Sequence, residues 1–157
     1  MFIQNFLTWS TALKTEFLKD CYENIKHSQI VCQENGRKYV ALNKGCKNVL
    51  KIHVDGDLIR SGKRCDYALG LLDEKKVYLI ELKGCDISHA CEQILKTLDF
   101  FKKNEGWNQA DYYARIVVSK FSSPKLPSVA QKRLIFAERR KIIVNYRISE
   151  KYLQETI

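Results

Sequence analysis

From residue 29 to residue 83 the apolar positions either alternate with polar ones or gather in short runs. Segments 29–34, 38–43, 49–54, 67–72 and 77–82 each read as a strand on that pattern. Asn35-Gly36 joins the first two as a hairpin, because both residues tolerate positive φ. Asp55-Gly56 ends the third, and the polar quartet Asp73-Glu74-Lys75-Lys76 turns the fourth into the fifth. Elsewhere the repeat is helical. Phe6, Leu13, Phe17, Cys21 and Ile25 predict a helix over 6–26, with Thr8 or Ser10 capping an inner start. Asp86 as N-cap, then Ile87, Ala90, Cys91, Ile94, Leu98 and Phe101, predict a helix over about 87–103. A buried strand is expected at 112–119, chain breaks at Ser122, Ser123, Pro124 and Pro127, a basic helix over about 128–140, a strand over 142–148 and a polar tail. This is an α/β pattern, with a central mixed sheet flanked by helices.

The chemistry sits on the hairpin 67–82. With its turn centred between Glu74 and Lys75, Asp66 falls opposite Lys83 and Ala68 opposite Glu81. Period-two alternation then sends Asp66, Glu81 and Lys83 to one face at one end of the hairpin. Diagonal neighbours lie roughly 7–8 Å apart, close enough for two carboxylates to share a small cation. A solvated Glu-Lys pair at a strand end is the competing account of an isolated Glu-x-Lys.

At these residues the chain resembles the PD-(D/E)XK nuclease superfamily, whose signature is an acidic residue opening one strand and Glu-x-Lys closing the next. The match is Asp66 with Glu81-Leu82-Lys83, followed by Gly84 and a helix; Cys65 stands where the name-giving proline would. The resemblance implies an αβββαβ core over about 10–119, Mg²⁺ or Mn²⁺ on Asp66 and Glu81, and Lys83 positioning or activating the attacking water. It also implies a role near the metal for Gln93, although Thr97 replaces the tyrosine of the exonuclease-like Gln-x-x-x-Tyr. Family members often add a carboxylate from the first helix, which Glu16 or Glu23 would supply here; the bland reading of each is a solvated glutamate.

Composition narrows the partners. A net charge of +9 favours a polyanion, nucleic acid first; it is the nuclease resemblance that puts DNA before RNA. Candidate backbone contacts are Lys63 and Arg64 at the mouth of the site, His89 on the following helix, and the cluster Arg139, Arg140 and Lys141. The amino end of that helix also suits a phosphate. Six cysteines without a C-x-x-C pair suggest reduced thiols and a cytoplasmic protein, and no apolar run is long enough for a membrane span. We expect one domain over 1–157, with 120–157 added to the core. The functions in view are a metal-dependent DNA endonuclease, a non-catalytic nucleic-acid-binding module, or an interaction subunit of a larger assembly. One nuclease-sized domain leaves little room for a separate sequence reader, so a homodimer or a partner protein is expected.

Overall fold

Strand pairing organises the chain into two stacked sheets. The computed structural model describes residues 18–56, 58–121 and 126–157. In chain order the strands are β1 (Tyr22–Ile25), β2 (Gln29–Glu34), β3 (Arg37–Leu42), β4 (Val49–His53), β5 (Tyr67–Leu71) and β6 (Lys76–Lys83), then β7 (Asp111–Val118), β8 (Asn145–Glu150) and β9 (Tyr152–Thr156). Helix α1 (Ile87–Lys102) joins β6 to β7, and α2 (Val129–Arg139) joins β7 to β8. The larger sheet has the order β1-β4-β5-β6-β7-β8, and β2-β3-β9 form the smaller one. β1, β4, β5 and β6 pair antiparallel, whereas β6, β7 and β8 are parallel because each of their connections carries a helix. The result is a mixed α/β architecture with a central mixed sheet.

The two faces of the larger sheet are covered differently. Ile52, Ala68, Leu79, Ala114 and Ile116 meet α1 through Ala90, Cys91, Ile94 and Leu98, and α2 through Ala130, Leu134 and Ala137. On the other face Leu69, Leu71, Ile80 and Leu82 meet Ile30, Cys32, Tyr39 and Leu153 of the smaller sheet. Both described helices therefore flank one face, and the smaller sheet covers the other. Between the sheets the buried Arg115 pairs with Glu155 at 2.7 Å, and the same carboxylate accepts the Tyr39 hydroxyl at 2.8 Å. Tyr78 and Tyr113 stack at 4.5 Å beneath the guanidinium, satisfying it with aromatic faces.

Three local expectations need correction. Residues 22–25, expected as the end of a helix, form β1 instead. Lys19 and Asp20 take positive φ, which stops a helix, and β4 offers Tyr22–Ile25 a free edge. The rest of that expected helix lies outside the described residues. The last large-sheet strand starts at Asn145 rather than 142, because Lys141 at φ 57° turns the chain out of α2 and Ile143 is buried in the turn. The polar tail is β9, parallel to β3. It looks polar because Leu153 is its one core side chain, while Glu155 serves Arg115.

Candidate metal and phosphodiester site

Asp66 precedes β5 at the end of the sheet where β6 finishes. The hairpin pairs Leu71 with Lys76 and Ala68 with Leu79, so its register puts Asp66 across from Glu81 rather than Lys83. The turn is the four residues 72–75, with Lys75 at φ 55°. Lys47 and Lys76 both hold the Glu74 carboxylate, fixing this turn two residues from the expected register. An even slip preserves parity, so Asp66 and Glu81 stay cross-strand neighbours and are nearer than the diagonal pair expected.

Asp66 is fixed by backbone. Its amide donates to the Ile80 carbonyl at 3.1 Å, and its Oδ2 accepts the Leu82 amide at 2.8 Å. Its carboxyl lies close enough to those of Glu81 and Glu34 for both to act on its ionisation, and Glu81 is fully buried. Burial raises the Asp66 pKa to about 6, the Leu82 amide opposes the rise, and the Glu34 charge adds to it. Three carboxyl groups this close resist simultaneous ionisation unless a cation or a proton lies among them. Glu34, His53, Asp55, Asp66 and Tyr67 line a cavity of about 180 Å³.

Helix α1 clamps the entry to Asp66. Gln93, 8 % exposed, donates Nε2 to the Arg64 carbonyl at 2.9 Å. Thr97 Oγ1 accepts the Cys65 amide at 2.8 Å and donates to the Gln93 carbonyl at 2.8 Å. Asp86 caps the helix by accepting the His89 amide at 2.9 Å, which places His89 in the first turn beside the end of β6. Arg37 spans from the smaller sheet, donating Nε to the Leu82 carbonyl at 3.1 Å and a terminal nitrogen to Ser119 Oγ at 3.3 Å. Lys83 closes β6 opposite Val118.

No family model, curated protein or solved structure matches the chain.

The other sequence-predicted residues divide. Arg64 pairs at 2.7 Å with Asp55 of the cavity wall, whereas Lys63 pairs with Glu92 of α1 and is not among the residues lining that cavity. Glu23 is on β1 and exposed, 3.5 Å from His53, whose ring meets Tyr67 edge-on. Glu16 is outside the described residues. Arg139, Arg140 and Lys141 are at the opposite end of the sheet. There Lys102, at the end of α1, donates to the Ile142 carbonyl, and the Val144 amide donates to the Tyr112 carbonyl. Tyr112 pairs with Val77 and Ile116 with Glu81, a separation of about 13 Å along the strands.

Glu34, Arg37, His53 and Asp55 escaped the sequence reading. One signal for Glu34 was available: it shares the inward parity of Ile30 and Cys32, and a carboxylate there needs a reason. Nothing in the sequence brings that strand end to Asp66.

Whether the donors suit a divalent ion turns on their chemistry. Among the described residues no three or more His, Cys, Asp and Glu side chains are grouped to hold a metal. Mg²⁺ does not require three, since it keeps several waters and takes one or two carboxylates together with substrate phosphate. The apposed oxygens of Asp66 and Glu81, with Glu34 against Asp66, are the hard donors such an ion prefers.

Proposed function

We propose that this chain is a metal-dependent nuclease with a PD-(D/E)XK-type core, cleaving DNA in preference to RNA as an endonuclease. The observation that carries the reading is the apposition of Asp66 and Glu81 at a sheet end, on strands leading into Lys83 and the amino end of α1. Asp66 and Glu81 would hold Mg²⁺ or Mn²⁺, which when bound lowers the pKa of water and neutralises non-bridging phosphate oxygens. Lys83, two residues beyond Glu81, takes the water-orienting or charge-stabilising role that the motif assigns. Gln93 is a positioning residue: through the Arg64 carbonyl it holds the segment that delivers Asp66. His89 stands where a phosphate at the start of α1 would lie.

The test is incubation of the purified chain with supercoiled and linear DNA in Mg²⁺, Mn²⁺ or EDTA. Metal-dependent nicking that disappears in Asp66→Asn and Glu81→Gln is the expected result. The full burial of Glu81 favours a second reading, a non-catalytic nucleic-acid-binding module on the same scaffold. DNA binding with no cleavage under either metal would select it.

A further inference from the structure

We propose that the outer face of α2 is a docking surface for an acidic, apolar-bearing segment of a partner protein. The inference is independent of the nuclease reading. Ala130, Leu134 and Ala137 bury the inner side of α2 against the core. At 100° per residue the exposed Val129, Lys132, Arg133, Phe136, Arg139 and Arg140 fall within an outward arc of about 120°. The arc carries no acid, since the Glu138 carboxylate turns inward to accept the Tyr146 amide at 2.9 Å. Val129 is 75 % and Phe136 54 % exposed, and they lie near the centre of the arc with cations on either side. Arg140 sits over the Phe136 ring at 5.1 Å. Of the seven large apolar side chains left exposed among the described residues, Val129 and Phe136 are the two on this arc.

Charge complementarity selects the occupant. A second copy would set one cationic arc against another, which like-charge repulsion disfavours. A nucleic-acid backbone satisfies the cations but offers Val129 and Phe136 no partner, and the arginine-rich end of α2 lies away from the carboxylates. A bilayer needs a broad apolar face outward, and that of α2 faces the core. A helix with an apolar stripe bordered by Asp or Glu matches both features, in the helix-in-groove manner or as a flat helix pair.

The experiment titrates the full ¹⁵N-labelled chain with three probes. They are a synthetic amphipathic peptide with a leucine stripe bordered by glutamates, a DNA duplex, and phosphatidylserine vesicles. The expected result is saturable peptide binding that shifts α2 amides. It should weaken about tenfold or more in Phe136→Ser and also in the double variant Arg139→Ser/Arg140→Ser, while Phe136→Ser leaves duplex affinity unchanged. Val129→Ser supplies a second apolar variant, and a melting curve on each variant confirms the fold. Absent peptide binding, peptide binding that ignores both apolar variants, or a duplex or vesicle that shifts α2 more strongly than the peptide overturns the proposal.

Discussion

Glu34 and Asp66 come from segments belonging to different sheets, yet their carboxyl groups meet in one cavity, where the Glu34 charge adds to the burial that raises Asp66. The pairing makes stability depend on pH in a definite direction. In the unfolded chain the Asp66 carboxyl titrates at its ordinary 3.8, and in the fold at about 6. The fold therefore binds the proton more tightly, and stability falls as pH rises from about 4 to about 6. Above that window the ionised carboxylate costs at most about 3 kcal/mol. In metal-free protein, Asp66→Asn should remove this slope and be the more stable chain at pH 7. Urea melts at pH 4, 5, 6 and 7 check it; a wild-type curve as flat as that of the variant would count against the shared cavity.

Mg²⁺ should reverse the ranking. A cation that binds the folded site and not the unfolded chain raises the wild-type melting temperature with concentration. Neither Asp66→Asn nor Glu81→Gln should respond equally, having lost an anionic ligand at nearly constant volume. Glu34→Gln should show a reduced response if its carboxylate contributes to the cation's field. Equal Mg²⁺-dependent shifts in all four proteins would place the ion elsewhere.

The clamp on Asp66 predicts a split between two replacements of Thr97. Thr97→Val leaves the buried Cys65 amide without its acceptor and should cost about 1–3 kcal/mol in a denaturant melt. Thr97→Ser keeps the hydroxyl and should cost much less. A similar loss in both would assign Thr97 to packing alone.

What could be read from the sequence divides along physical lines. Parity could be read, because period two sends Asp66 and Glu81 to one face whichever even register the hairpin takes. Register could not, because Lys75 adopting positive φ is decided by the fold around Lys47 and Glu74 rather than by local propensity. The cap Asp86 was legible as a short-range hydrogen bond, and it is made. Asn35-Gly36 was legible for the same reason; its two residues take φ 47° and 79°. Glu34 meeting Asp66 was not, since it depends on stacking two sheets whose strands are far apart in the chain. β9 was hidden because its charge serves a buried Arg115 instead of solvent.

That ion pair gives its own prediction. Among the described residues, Arg115→Met leaves Glu155, beside Tyr39 and Tyr78, with the more exposed Arg147, at 3.2 Å, as its remaining cationic partner. Removing one member of a buried pair costs about 3–5 kcal/mol. The double variant Arg115→Met/Glu155→Leu should recover most of that loss, because the remaining cost is packing. A double-mutant cycle by calorimetry measures the coupling; additive losses would mean that the two sheets are not joined through this pair.

Lys83 separates a catalytic site from a scaffold. If it acts on the water or on charge developing at the phosphate, Lys83→Ala should lower the single-turnover cleavage rate by orders of magnitude and spare DNA affinity, because the interaction exists mainly in the transition state. If Lys83 only offsets the charge of Glu81, its loss makes that carboxyl harder to ionise. Raising pH would then restore both ionisation and rate. The measurement compares wild type and Lys83→Ala between about pH 6 and 9 at saturating Mg²⁺ and enzyme, a range that brackets metal-bound water ionising near 7. A deficit that persists to the alkaline limit assigns Lys83 to the reaction. Recovery to the wild-type rate assigns it to the electrostatics of Glu81 alone.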